Sequence, residues 1–141
     1  MKKIITLFLL LLSFSCATNE VLEEETEPAI IVPKDVEIIL TTTRLEFDEV
    51  VVSYQDFSIE EDWTYGPRQF DYDSNGNPLP IIISFKDYQY TTIVGNAYRN
   101  NDLPEGLKVQ VFIDDVLVLE DENTGTPGVY ATVNFDYEIP N

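Results

Sequence analysis

Histidine is absent from this chain, and cysteine and tryptophan occur once each. The lack of histidine removes the side chain that most often serves as a general base or metal ligand near neutral pH. A single cysteine excludes an internal disulfide, so packing alone must stabilise the core. Basic residues are also scarce, with 8 against 26 acidic residues and a net charge of −18. Such an acidic surface repels nucleic acid and anionic headgroups.

The chain also lacks the local motifs of common enzymes. It has no G-x-S-x-G elbow and no glycine-rich phosphate loop. Paired carboxylates can hydrolyse glycosides, but acidic residues are so abundant here that finding a pair carries little information. The sequence therefore predicts a protein that is not an enzyme and that has no cofactor, with a carboxylate-dependent hydrolase as the weakest alternative.

Residues 1–15 have the composition of a secretory signal peptide. Two lysines precede the apolar run from Ile4 to Leu12, which is too short to span a bilayer. Cys16 follows, and the segment resembles the signal of a bacterial lipoprotein of the Bacteroidota type. That resemblance implies export and a lipid anchor on Cys16, at the outer membrane and on either its periplasmic or its outer face. The alternative is an ordinary secretory peptide with an incidental cysteine.

Residues 16–35 are polar and acidic and contain two prolines, which predicts a flexible tether between the lipid and a folded domain. The run Glu23-Glu24-Glu25 resembles the acidic signal that directs some lipoproteins to the cell surface. A plain solvated spacer is an equally good interpretation of these charges.

Residues 36–141 alternate apolar and polar side chains with a period of two, which is typical of half-buried strands. The clearest case is the closing segment, in which Val129 to Ile139 has apolar residues at every second position. A hairpin from Leu107 to Leu119 precedes it and turns at Asp114-Asp115. With turn signals roughly every 8–12 residues, we predict an all-β fold, a single immunoglobulin-like antiparallel β-sandwich of about seven to eight strands.

The segment from Lys108 to Val118 (KVQVFIDDVLV) resembles the V-x-V-x-I-Y-V-D-G-K-x-V hairpin of MmpS-like immunoglobulin-fold domains. Asp115 stands where that family usually has glycine. The resemblance covers roughly residues 36–139 and implies an envelope-anchored sandwich without a catalytic motif. The best-known members of that family are accessory partners of large membrane transporters, while its lipoprotein relatives have no assigned chemistry. Further matching elements are Gly128 to Thr132, Leu79-Pro80, Phe85 and Tyr90 to Ala97.

One segment has half the pattern of a calcium loop. Asp71, Asp73, Asn75 and Gly76 match D-x-D-x-N-G, in which alternate oxygens wrap a hard cation. The twelfth position is Ile82 where a calcium loop has a bidentate glutamate. Because Asn-Gly between extended segments is a strong hairpin signal, a simple turn is the alternative to a calcium site.

Aromatic residues are plentiful, with eight Tyr and eight Phe. Trp63 adjoins three acidic residues in an expected loop, where it either anchors a partner or caps one end of the sandwich. Trp63, Tyr65 and Tyr72 are therefore the predicted partner-binding residues. Packing within strands is the alternative for all the tyrosines. Five tyrosines are candidates for a face that stacks on carbohydrate or peptide, namely Tyr65, Tyr72, Tyr88, Tyr90 and Tyr98.

Together these features predict a lipid-anchored cell-envelope sandwich that acts as a non-catalytic binding or accessory module for another envelope component. Its membrane contact is the lipid on Cys16, its partner is an envelope protein such as a transporter, and it binds no nucleic acid. The alternative is a surface module that binds carbohydrate or calcium.

Overall fold

A computed structural model describes residues 32–57, 59 and 63–140. The predicted signal peptide, Cys16 and residues 17–31 of the tether lie outside the described residues. In the described part the chain is all-β, and it has no helix that could cross a membrane. Its strands are β1 (Lys34–Thr42), β2 (Glu49–Gln55), β3 (Trp63–Gln69), β4 (Ile81–Tyr88), β5 (Thr92–Arg99), β6 (Gly106–Ile113), β7 (Val116–Thr124) and β8 (Thr132–Glu138).

The eight strands form two antiparallel sheets that pack face to face. The first sheet has the order β4-β1-β6-β7 and the second has the order β3-β2-β5-β8. Consecutive strands pair directly in the hairpins β2-β3 and β6-β7, and every other connection crosses from one sheet to the other. Both sheets are open at their edges. The predicted antiparallel β-sandwich of seven to eight strands is confirmed.

The core lies between the sheets and follows from the period-two alternation of the strands. One face of each strand carries branched or aromatic side chains, and burying each of these stabilises the fold by roughly 1.5–3 kcal/mol. The most completely buried members come from both sheets and are at most 1% exposed. They include Val36, Ile38, Leu40, Val50, Val52, Leu107, Val109, Val111, Val133 and Phe135.

The hairpin between β6 and β7 turns at Asp114-Asp115, as predicted. Both aspartates have positive φ, 48° and 66°, as a two-residue type I′ turn requires. The backbone N–H of Asp35 donates to Asp114 Oδ1 at 3.0 Å, and Lys34 Nζ lies 3.0 Å from Oδ2. These contacts lower the pKa of Asp114, the bond from Asp35 most of all. The turn thereby holds the first residues of β1.

Two local predictions were wrong. The closing strand begins at Thr132 because Val129 exchanges two backbone hydrogen bonds with Thr126 in a tight turn, at 2.7 and 3.0 Å. Val129 is consequently 61% exposed and does not face the core. Trp63 lies in no loop but opens β3, where it pairs with Gln55 of β2.

Gly95 in the middle of β5 allows the second sheet to pack tightly. A Cβ atom there would lie 2.3 Å from Phe135 Cζ and 2.5 Å from the backbone oxygen of Ser53. Any side chain at this position would therefore collide with a core ring and with the neighbouring strand. The glycine thus allows Phe135 and β2 to approach β5 closely, and β5 pairs with both β2 and β8.

Candidate functional site

The outer face of the second sheet carries a polar row that crosses all four strands. In antiparallel pairs, directly opposed residues point to the same face. Tyr65 of β3 opposes Ser53 of β2, Ser53 opposes Asn96 of β5, and Asn96 opposes Asn134 of β8. The members of this row come from four separate segments of the chain, so only the pairing register of the strands brings them together.

Four aromatic side chains lie in this row or next to it. We call these residues, Trp63, Tyr65, Tyr98 and Tyr130, the aromatic strip. Trp63 is 44% exposed, Tyr65 68% and Tyr130 50%. The hydroxyls of Tyr65 and Tyr98 are 3.4 Å apart. The rings of Tyr98 and Tyr130 are stacked within 7° of parallel, with centroids 6.2 Å apart. The strip therefore connects β3, β5 and the segment leading into β8.

Val51 lies in a closely packed part of this face. It points away from the core, yet only 7% of its surface is exposed. It lies between Pro67 of β3 and Tyr98 of β5, which oppose it on the two neighbouring strands. The strip is thus supported by a packed, rigid strand layer, which is a suitable base for a binding surface.

The middle of this face is uncharged. Contact with Tyr65, followed by burial, raises the pKa of the Tyr98 hydroxyl, so it remains protonated at neutral pH. Within the described residues, no lysine or arginine occupies an outward position on β2, β3, β5 or β8. The acidic side chains Glu49, Asp136 and Glu138 lie at the margin. The centre of this outer face is therefore neutral and aromatic, with acidic residues at its margin, while the exposed Arg68 occupies an inward register position on the edge strand β3.

The structure brings together only part of the predicted aromatic set. Trp63, Tyr65 and Tyr98 share the strip, and Tyr130, which was not predicted, joins them. Tyr72 lies elsewhere, in a loop where its hydroxyl donates to the backbone oxygen of Glu46. Tyr72, Tyr88 and Tyr90 therefore share no stacking face with Tyr65 and Tyr98, and Tyr88 follows the packing alternative, since it is buried in the core.

Tyr88 and Tyr90 instead line an open cavity of about 410 Å³ at the end of the sandwich where β1 begins. Tyr90 stacks on Phe57 with centroids 4.2 Å apart, and its hydroxyl donates to the Phe57 backbone oxygen at 3.3 Å. Tyr88 donates to the Thr92 backbone oxygen at 2.6 Å, and burial raises its pKa to about 12. Because both hydroxyls are bonded internally, this cluster serves mainly to close the end of the core.

The candidate calcium segment forms a closed turn. Asp73 Oδ1 accepts hydrogen bonds from the backbone N–H groups of Asn75 and Asn77, each at 2.8 Å. Its Oδ2 accepts from Asn77 Nδ2 at 3.0 Å, and the bonds from Asn77 and Asn75 lower the pKa of Asp73. Gly76 has a φ of 81°, which a tight turn requires. Both oxygens of Asp73 thus serve the turn, and a calcium site at Asp71, Asp73 and Asn75 stays a prediction.

The sequence reasoning missed a buried ion pair at the opposite end of the sandwich. Arg99 and Asp48 side chains are both fully buried, with Arg99 Nε 2.9 Å from Asp48 Oδ2 and Nη2 3.1 Å from Oδ1. Thr42 and Asn101 donate to the same carboxylate at 2.6 and 2.9 Å. Burial raises the pKa of Asp48, but the hydrogen bonds from Arg99, Thr42 and Asn101 outweigh it and lower the pKa overall.

The ion pair is a structural element that joins loops at this end. Arg99 Nη1 donates to the backbone oxygens of Leu103 and Glu105 at 3.1 and 3.0 Å. No buried side-chain nitrogen or oxygen in the described residues lacks a partner. The sequence contained one signal for this ion pair, because Arg99 lies on the same inward face of a strand as Ile93 and Ala97. An arginine at an inward position requires a buried acceptor.

Comparison with known proteins assigns no function, because no family model, curated protein or solved structure matches this chain. The resemblance to MmpS-like domains and the lipoprotein identity therefore stay predictions. The function has to be argued from the surface itself.

Proposed function

We propose that the protein is a lipid-anchored, non-catalytic binding module of the cell envelope, and that the aromatic strip holds its ligand. The observation that carries this proposal is the strip itself, with Trp63, Tyr65 and Tyr130 substantially exposed on one open sheet face. Trp and Tyr are the residues that most often dominate binding energy at interfaces. Their exposure together on the outer face of one sheet favours a ligand-binding role.

The size and rigidity of the strip suit this role. A tyrosine or tryptophan side chain buries about 150–250 Å² when fully covered, so four of them offer several hundred Å². Their side chains have only two rotatable χ angles, which limits the entropy lost on binding. Since Trp63, Tyr65 and Tyr98 lie on paired strands, the backbone beneath them is already ordered.

The proposed lipid anchor on Cys16 places the folded domain at the membrane. Between Cys16 and β1 lie the 17 residues 17–33. The composition of this segment predicts a flexible tether, and a tether of this length has a root-mean-square span of roughly 23 Å, enough to hold the domain close to the membrane without pressing it against the surface. The net charge of −18 opposes direct contact with anionic headgroups.

Site-specific photo-crosslinking in cells tests this proposal. A benzophenone amino acid replaces Thr132, which opposes Tyr98 on the outer face of the second sheet. A matched probe replaces Thr41, which opposes Lys108 on the outer face of the first sheet. Adducts of the full-length protein are analysed for both peptides and sugars, because benzophenone reacts with C–H bonds of either class.

We expect an adduct at position 132 and none at position 41. The adduct should disappear when Tyr65 and Tyr98 are both replaced by alanine and should persist with Tyr90→Ala, a change outside the strip. Equal adducts from both probes, or an adduct at 132 that the double replacement leaves intact, would contradict the proposal. The melting temperature of each variant is measured so that loss of folding is recognised.

A further inference from the structure

We infer that the ligand of the aromatic strip is an uncharged polysaccharide chain that lies across the outer face of the second sheet. This inference rests on the proposed binding role of the strip. Three features of the face support it: the parallel rings of Tyr98 and Tyr130, the unpartnered amides of Asn96 and Asn134, and the distribution of charge.

The rings offer the flat, apolar contact that sugars use. A pyranose ring has C–H bonds on its faces and hydroxyls at its edge. The face of an aromatic ring carries partial negative charge and attracts such C–H bonds. The strip crosses from β3 towards β8, a distance of three strand spacings or roughly 14 Å, so it suits consecutive sugars better than a single one. Tyr98 and Tyr130 stack on each other with ring planes 7° apart, so a sugar would contact the ring faces that this stacking leaves open.

The polar row supplies hydrogen bonds at the edge of such a chain. Asn96 and Asn134 oppose each other on β5 and β8. Their side-chain amides have no hydrogen-bond partner among the described residues, and each amide both donates and accepts. Sugar hydroxyls also donate and accept, so one hydroxyl can satisfy either half of an amide. Ser53 and the Tyr65 hydroxyl extend the same row.

The charge distribution on the outer face of the second sheet favours an uncharged ligand. Acidic polysaccharides and phosphate groups are bound by arginine and lysine, and the outward positions of this sheet carry neither in the described residues. Glu49 and Asp136 at the margin repel such anions. A protein partner would normally meet an apolar packed centre, whereas the polar residues Ser53 and Asn96 lie among the aromatic residues on the two central strands here.

The test measures binding of the mature full-length protein, solubilised in detergent, to an array of linear polysaccharides. The neutral probes are glucans, mannans, xylans and galactans, and the acidic probes are alginate and polygalacturonate. The variants are Tyr98→Ala, Asn96→Ala and the control Tyr90→Ala, which removes an exposed tyrosine outside the strip. Affinities for each bound glycan are then measured at low and high salt.

We expect binding to at least one neutral glycan and to neither acidic one. Tyr98→Ala should weaken that binding about tenfold or more, Asn96→Ala should also weaken it, and Tyr90→Ala should leave it unchanged. Added salt should have little effect because the ligand carries no charge. Binding to no neutral glycan, or affinity that Tyr98→Ala does not change, would overturn the inference.

The two proposals fail in different ways. If the probe at position 132 captures a protein and no sugar, and the array shows no neutral glycan, the polysaccharide inference is wrong while the strip remains a binding surface. If the probe captures nothing that depends on Tyr65 and Tyr98, the proposed function itself is wrong.

Discussion

Replacing Asp48 with asparagine should destabilise the protein severely. The Asp48 carboxylate accepts hydrogen bonds from Arg99 Nε and Nη2, Thr42 and Asn101, at 2.6 to 3.1 Å. Asparagine has nearly the same shape but no charge, and its amide nitrogen would face donors. Since Arg99 is fully buried, it would keep only the longer contact of its Nη1 with Glu105 Oε2, at 3.4 Å, as an ionic partner. Breaking a buried pair in this way costs about 3–5 kcal/mol, a large part of the 5–15 kcal/mol typical of a domain.

The surface pair of Lys86 and Asp35 provides the matched control. Its Nζ–Oδ2 distance of 2.7 Å is shorter than either distance within the buried pair, but the side chains of Lys86 and Asp35 are 68% and 49% exposed. Exposed ion pairs contribute little because water screens them and because two long side chains must be ordered. Asp35→Asn should therefore change the free energy of unfolding far less than Asp48→Asn.

Urea denaturation followed by circular dichroism at pH 7 measures both variants. If Asp48→Asn costs no more than Asp35→Asn, then burial does not set the strength of these pairs and the reasoning is refuted. The pH dependence gives a second check. Because folding lowers the pKa of Asp48, its ionic contribution is fully present above the ordinary value of 3.8 and is lost as the pH falls through the lower folded value. The difference between wild type and Asp48→Asn should therefore shrink at strongly acidic pH.

Three further changes have defined outcomes. Gly95→Ala should lower the free energy of unfolding, measured by urea denaturation, by about 1–3 kcal/mol, because the new Cβ would collide with Phe135 and the Ser53 backbone. An unchanged urea midpoint would show that β5 can shift to make room for it. Asp115→Gly should raise the free energy of unfolding in the same assay by about 1 kcal/mol, because a φ of 66° is easier for glycine than for aspartate. A loss of stability would refute this prediction. Asp73→Ala should lower the melting temperature without added calcium, because the carboxylate closes its own turn; an effect seen only with calcium would instead support the cation site.

Local pattern predicted those parts of the fold in which neighbours in sequence are neighbours in space. The hairpin at Asp114-Asp115 was predictable because the two strands and the turn are contiguous and two aspartates tolerate positive φ. The same reasoning failed at Val129, because alternation continues across the turn that binds it to Thr126. Period-two patterning alone does not distinguish an extended turn from the strand that follows.

The aromatic strip was only partly predictable because it depends on register between distant segments. Tyr65 and Tyr98 are 33 residues apart and meet across β2, which lies between their strands. The sequence identifies tyrosines in strands, but strand order determines which of them share a face. The same holds for Asp48 and Arg99, which are 51 residues apart and pair at the end of the sandwich.

The most direct test of the aromatic strip is hydroxyl-radical footprinting of its tyrosines in living cells and in the purified protein. If the strip holds an envelope ligand, oxidation of Tyr65 and Tyr130 should fall strongly in cells, while oxidation of Tyr90 should be the same in both samples. These three tyrosines are 68%, 50% and 42% exposed in the free protein, so all react readily when uncovered. Equal oxidation of Tyr65 and Tyr130 in cells and in solution would contradict a binding role for this surface.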